Sequence, residues 1–478
     1  MVISAFATRS TSVHAASAAT DPLEGKWWGT AGTDKERIEV GFEFRRDDTG
    51  TLRMRFTQPI TNVFDYPDTS EIVRDGDRVV VEPFALSLTL EGDTLSGTFP
   101  GPKSKALLTR VNSIPVESPI PDVPTGPAPL WQTRLGGQVF ATPAVLDGVA
   151  YVGGTGGVFN AVDTVKGEIR WTFSAGAPIF GGAAVTSDAV FFASDNGYLY
   201  KLDRVNGQQV WRYALGDAEV PRILPHPTVF DWDWQAATPV VADEVIYVGS
   251  GEGSLHAIDA TSGQRKWRFG TNGKIRNAVA VDAERVVFGS ADHFVYALDR
   301  NSGVERWRYD TRADVNATPL IEDGRVYIGN RGAGLFALDA NTGEEVWRLY
   351  FWGSWVESTP VISDGVLYVG SSDLRRVSAI DPSNGKVHWR SDVRGWTWGT
   401  PLLVGDRIYA GAAGGAPYFV KHQASLSTLD RETGKLLSRW PLADTGGHQW
   451  GIAGSPVRSG DHIIVATIEG SLFSFPLQ

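Results

Sequence analysis

His226, His448, Asp231, Asp314 and Glu357 are side chains of this sequence suited to proton transfer, and Arg222, Arg276, Arg312 and Arg394 are spread among them. A His or a carboxylate can move a proton when it is held within hydrogen-bond reach of a substrate. An Arg fork binds a carboxylate through two parallel hydrogen bonds. Trp234, Trp352, Trp355, Trp396, Trp398 and Trp450 add flat faces on which a sugar or aromatic ring stacks, and His422 adds a further imidazole. These residue types suit a carbohydrate or a small anionic or aromatic ligand, bound and then cleaved by one of two routes. In a lyase, Arg276, Arg312 or Arg394 neutralises a substrate carboxylate while His226 or His448 moves the proton. In a hydrolase, Asp231, Asp314 or Glu357 serves as acid or base. The alternative is a scaffold without catalysis, whose loops bind a protein partner. Asp231-Trp232-Asp233-Trp234 would point two carboxylates the same way in a strand. Two ligands do not make a cation site, so no metal is expected.

Ala337-Leu338-Asp339-Ala340-Asn341-Thr342-Gly343-Glu344-Glu345-Val346-Trp347 shows what must position these groups. An apolar strand ends at Asp339, whose carboxylate can accept turn N–H groups. Gly343 supplies the positive φ of a tight hairpin. Trp347 then opens a second strand. The Asp recurs at 163, 203, 259, 299, 381 and 430, each time followed by a Gly (167, 207, 263, 303, 385, 434) and a Trp. Trp171 to Trp211, Trp267 to Trp307 and Trp307 to Trp347 are each 40 positions apart. Between copies lies a Thr-Pro or Ser-Pro that opens an apolar run, as at Thr142-Pro143, Thr238-Pro239, Thr318-Pro319, Thr359-Pro360, Thr400-Pro401 and Ser455-Pro456. A period of about 40 residues with four short strands per unit predicts a β-propeller.

Seven Asp…Gly…Trp units are followed by a C-terminal stretch that has inner strands and no outer Trp strand. Leu130-Trp131-Gln132-Thr133 supplies the missing strand from the other end of the repeat. The expectation is an all-β, eight-bladed propeller closed by its two ends, with seven blades as the alternative. These repeats, over about residues 130–478, resemble the PQQ-like (quinoprotein-type) propeller family, and its branch related to the assembly propeller BamB more than its dehydrogenases. The resemblance implies a fold; the repeating residues are scaffold. Many quinoprotein dehydrogenases of the family carry a vicinal Cys pair on the cofactor, and this chain has 0 Cys. No matching Glu/Asn/Asp calcium triad is present either, so PQQ with calcium is not expected.

Functional residues should break the repeat in the connections that enter each innermost strand and in the turns between second and third strands, which share one face. Those connections hold Gln138 and Phe140; Lys274, Arg276 and Asn277; Arg312, Asp314 and Asn316; Trp352, Trp355 and Glu357; Arg394, Trp396 and Trp398; His448, Gln449 and Trp450. The turns add His293, Arg331, Asp373 to Arg376, and an excursion with Tyr418, Lys421 and His422. The interval from Trp211 to Trp267 is 56 positions, so about 16 residues are inserted there, among them Arg222, His226, Asp231 and Trp234. Long loops in a compact repeat commonly carry function.

Before the repeat, residues 21–111 read as a small antiparallel barrel or sandwich with strands near 38–46, 52–58, 78–82, 85–91, 94–99 and 106–111. Its Gly25-Lys26-Trp27 resembles the first-strand signature of lipocalin-like barrels. Residues 112–129 form a Pro-rich linker with Pro at 115, 119, 121, 124, 127 and 129. Residues 1–20 read as a signal-like or disordered segment: small residues at 15–19 look like a cleavage region, but no Lys or Arg precedes the short apolar run. The expected location is periplasmic or secreted. A net charge of −11 argues against nucleic acid, the absence of Cys removes disulfides and thiol chemistry, and no apolar run reaches a membrane span.

Overall fold

The computed structural model describes residues 21–34, 36–68, 72–81, 86–101, 103–116, 123–216, 236–416, 418, 420–446 and 448–478. Eight antiparallel sheets of the repeat region form the blades of a propeller. In the first, strands Ala144–Leu146, Val149–Gly153, Val158–Asp163 and Ile169–Ser174 follow one another from the axis outward. In the last, Trp131–Arg134 pairs with Ser471–Pro476, with Trp131 opposite Ser474. Joining the two ends through a ladder removes an open seam.

The repeated residues hold neighbouring blades together. Asp339 Oδ1 accepts the N–H groups of Asn341 and Thr342, both at 2.9 Å, which closes the turn. Trp307 of the preceding blade donates Nε1–H to the Ala340 carbonyl at 2.9 Å and lies flat under Gly343. A Cβ at Gly343 would stand 2.7 Å from that ring, and its φ of +75° belongs to glycine. The pattern repeats with Trp171 on Arg204, Trp267 on Arg300 and Trp347 on Pro382. The Thr of Thr-Pro has a second use near the axis, where its hydroxyl accepts a backbone N–H from an adjacent blade. Gly182 N–H reaches Thr238 at 2.9 Å, Ala278 reaches Thr318, Thr400 reaches Ser455, and Ser455 reaches Thr142. Between sheets the inner strands pack face to face, as where Tyr247 and Leu255 meet Phe288 and Tyr296.

The N-terminal region is one nine-stranded antiparallel sheet, a half-barrel. Its order is Val63–Asp68, Leu52–Gln58, Arg37–Arg46, Gly25–Gly32, Lys105–Val111, Thr94–Thr98, Leu86–Glu91, Arg78–Val81 and Ile72–Asp75. Trp27 is fully buried at one end, donates to the Leu23 carbonyl at 2.9 Å and lies 4.3 Å beneath the Arg110 guanidinium. The core of this sheet runs without a break into the fifth and sixth blades, where Phe351, Trp352 and Leu374 join it. Glu36 clamps the contact, accepting Arg390 through both oxygens (2.7 and 2.9 Å) and Trp352 Nε1–H at 3.0 Å. Farther along, Gly126 N–H and Pro124 O pair with Arg439, so the chain before the propeller covers the outer edge of the seventh blade.

Candidate functional site

Up-and-down strands place every connection into an innermost strand, and every second-to-third turn, on one face. Backbone bonds tie the two sets together there: Ala291 to Lys274, Arg331 to Asp314, Ser372 to Trp355, and Trp396 with Ala413 in both directions. At the axis each blade contributes the residue two positions before its Thr-Pro or Ser-Pro site, or before Gly182-Ala183 and Ala278-Val279, which stand there in the second and fourth blades. That register brings together Phe140, Phe180, Ala236, Arg276, Asn316, Glu357, Trp398 and Ala453 around a cavity of about 120 Å³. Aromatic and small apolar residues fill one arc of this ring, and Arg276, Asn316 and Glu357 fill the other.

Behind the ring lies a second cluster on the sixth and seventh blades. Trp396 stacks on Trp398 with centroids 4.8 Å apart and meets the His422 ring at 4.1 Å with the two planes tilted. It can lie flat because Gly415 carries no side chain; a Cβ there would approach the ring to 2.4 Å. Asp373 accepts Trp396 Nε1–H at 2.8 Å and the Tyr418 hydroxyl at 3.0 Å. Burial pushes the Asp373 carboxyl up to about 6, against the pull of its two donors. Burial likewise lowers His422 to about 3, so this imidazole is neutral at physiological pH. The same desolvation, with the Asp373 charge, raises Tyr418. Glu357 is paired with Arg331 at 2.7 Å, and Arg331 lies 4.3 Å over the Trp355 ring.

Of the residues singled out from the sequence, Arg276, Glu357 and Trp398 meet at the cavity, while Trp396, His422 and Trp355 stand behind it. Trp450 is buried on the strand that pairs with Ala413–Gly415. Trp352 is turned away, into the interface with the N-terminal sheet. Arg394 lies beside Asp392 at 3.7 Å, Asp314 faces His293 at 3.4 Å, and Arg312 and His448 are exposed. Arg222, His226, Asp231 and Trp234 lie outside the described residues. Asp373 and Tyr418, singled out only as members of the second-to-third-strand turns, meet in the cluster behind the ring, and Phe180 was not singled out at all. The second blade has Gly182-Ala183 where others have Thr-Pro, so the ring position at Phe180 went unmarked, and Asp373 and Tyr418 are joined only by folding.

The fold defines a class: an eight-bladed propeller with closed ends and a narrow axial funnel, joined to an antiparallel half-barrel. The family model of the outer membrane protein assembly factor BamB matches residues 124–222, 161–275, 195–350 and 334–475. The chain belongs to that family of PQQ-like repeat propellers. No curated protein sequence matches it. Among solved structures it is similar to BamB from Moraxella catarrhalis, at 21% identity over 73% of this chain and 98% of that one, TM-score 0.56. It is also similar to quinohemoprotein alcohol dehydrogenase from Comamonas testosteroni (16% identity, 73% and 76%, TM-score 0.56). A europium-containing methanol dehydrogenase gives 14% identity, 73% and 93%, and a TM-score of 0.59. At these identities the likeness is one of fold. The described residues do not fit PQQ with a metal. The axial cavity has a volume of about 120 Å³. Its one carboxylate among the described residues, Glu357, is held by Arg331.

Proposed function

We propose that this propeller is an extracytoplasmic scaffold that binds a protein partner with the face on which its funnel opens. The observation that carries this reading is the pairing of polar groups on that face with one another. Glu357 holds Arg331, Asp373 holds Trp396 and Tyr418, and Asp392 holds Arg375 at 3.0 Å. A catalytic constellation keeps its acid or base within reach of a substrate, whereas a binding face needs rigid, satisfied loops. Membership in the family of an outer membrane assembly factor supports a place outside the cytoplasm. Photo-crosslinking residues at the exposed positions 312 and 448, on the funnel face, should capture a discrete partner in cells. The same residue at 165 and 205, in turns of the opposite face, should not. Equal capture from both faces, or none from the first, would sink the scaffold reading.

A second reading keeps a carbohydrate or aromatic-acid ligand and a lyase or hydrolase reaction. It is favoured by Asp373, an acid held at about 6 against a stacked Trp396–Trp398 pair. A thermal-shift panel of oligosaccharides, uronic acids and aromatic acids tests it, because a ligand of the folded state raises the melting temperature by mass action. A shift with turnover that disappears in Asp373→Asn would establish this reading over the first.

A further inference from the structure

Positive charge gathers where the half-barrel meets the sixth and seventh blades, and among the described residues a single carboxylate, Asp392, stands at its centre. Asp392 ends the outer strand Val387–Asp392 of the sixth blade, directly opposite Arg376 on the next strand, so the two side chains share one face of the sheet. Its Oδ2 accepts from Arg375 at 3.0 Å and from the Asn62 amide of the half-barrel at 3.0 Å, and Arg394 lies 3.7 Å from the same oxygen. Its Oδ1 accepts the Arg394 backbone N–H at 2.8 Å. Arg439, on the outer strand of the seventh blade, adds a further charge, with its nitrogens given to Ser425 and Gln423. Arg390, close by, has its own carboxylate in Glu36. Arg375, Arg376, Arg394 and Arg439 are thus left with Asp392 alone. Burial lowers the Arg376 guanidinium below its ordinary value, and the charges of Arg390, Arg375 and Arg394 push the same way against the pull of Asp392. Burial also lowers Arg439, to about 10, and Arg394 and Arg375 add to it.

Two of these side chains hold donors in reserve. Arg376 gives Nε–H to the Ile60 carbonyl at 2.9 Å, and its two terminal nitrogens donate to no described residue. The Arg394 guanidinium approaches only Asp392, and 3.7 Å is too long for a hydrogen bond. Both side chains are half-buried, and none of these nitrogens is sealed from solvent. Like charges drawn together at a partly buried site repel more strongly than in bulk water, and a bound anion relieves that repulsion. A carboxylate would bring one charge. A phosphoryl group brings nearly two and three acceptor oxygens, and an Arg fork matches its geometry. We infer that this junction binds a phosphate dianion, free or carried as a phosphomonoester. Its oxygens accept from Arg394 and from the terminal nitrogens of Arg376, while Arg375 and Arg439 supply charge. The site is separate from the axial ring and does not depend on partner binding by the loops.

Calorimetry on the full chain with inorganic phosphate tests it, with acetate as the singly charged control. Phosphate should bind, and acetate should bind at least about ten-fold more weakly. Arg376→Gln removes two of the ligating nitrogens and should weaken phosphate at least about ten-fold. Should that variant fold poorly for want of its bond to Ile60, Arg394→Gln removes a fork that makes no hydrogen bond within the fold, and it should weaken phosphate as much. Arg458→Gln, an exposed Arg of the eighth blade, should change nothing. Flotation with phosphatidic acid vesicles, and not with phosphatidylcholine ones, would assign the phosphate to a lipid headgroup; phosphate binding without flotation would assign it to a soluble compound. Failure of the wild type to bind phosphate overturns the inference. So does acetate binding as tightly, or phosphate binding that Arg394→Gln leaves unchanged or that Arg458→Gln weakens equally.

Discussion

Asp373 gives a stability signature that runs against the usual direction for a carboxylate. Burial carries its carboxyl from 3.8 in the unfolded chain to about 6 in the folded one. At about 1.36 kcal/mol per pH unit, the ionised group then destabilises the fold by at most about 3 kcal/mol, and solvent at this partly exposed site lowers that figure. The sign follows from proton uptake. Between pH 3.8 and 6 the folded state binds the proton and the unfolded state does not, so stability is lost as the pH rises through this window and stays lost above it. Asp373→Asn removes the charge and keeps an oxygen for Trp396 Nε1–H and the Tyr418 hydroxyl. Urea unfolding of both proteins at half-unit steps from pH 4 to 8 isolates the effect, because every other titrating group cancels in the difference. The Asn variant should match the wild type near pH 4 and exceed it by about 1–3 kcal/mol above pH 7. A difference that does not change with pH would refute the reasoning. So would a wild type that gains on the variant as pH rises, since that would mean the two donors outweigh burial.

Three further outcomes follow. Gly343→Ala combines a positive φ with a Cβ 2.7 Å from Trp307, whereas Gly365→Ala has a similar φ of +73° and nothing within 4 Å. Both should lose the roughly 1–2 kcal/mol of a left-handed Ala, and Gly343→Ala about 1–3 kcal/mol more in chemical denaturation. Glu36→Ala leaves the buried Arg390 without its carboxylate and should cost about 3–5 kcal/mol, read as faster proteolysis of the segment 112–129 and a lower melting temperature. Thr142→Val removes the hydroxyl that accepts Ser455 N–H at 2.8 Å where the last blade meets the first, and should cost about 1–3 kcal/mol. Thr186→Val, in the solvent-facing turn between the first two strands of the second blade, loses only a local bond from Ala189 N–H at 3.1 Å, serves as the control and should lose less.

The propeller was readable because its order is local. Asp339, Gly343 and Trp347 each act within one turn or on the adjoining blade, so the same contact recurs at each copy and prints a period of 40 on the sequence. The closing strand was readable for the same reason, since a blade lacking its outer Trp strand needs one from elsewhere. The N-terminal strands near 38–46, 52–58 and 94–99 showed by alternation, while Val63–Asp68 and Ile72–Asp75 did not, being short and rich in charge or Pro. The candidate site was legible in part. Arg276, Glu357 and Trp398 break the repeat at one register, and the repeat carries that register to the axis. Trp352 breaks it too, yet its indole is taken up by Glu36, more than 300 residues earlier in the chain.

By itself the sequence determined the repeat, its closure and the face that carries the variable residues, and favoured eight blades over seven, because repeating contacts between nearest neighbours need no long-range information. Only the tertiary structure decided which variable side chains serve one another. Arg331 and Glu357 are ordinary loop residues until two blades set them 2.7 Å apart. Asp373 becomes an acid near neutrality only when Trp396 and Tyr418 close over it and strip away much of its water. Burial and pairing are properties of the packed whole, and no window of residues contains them.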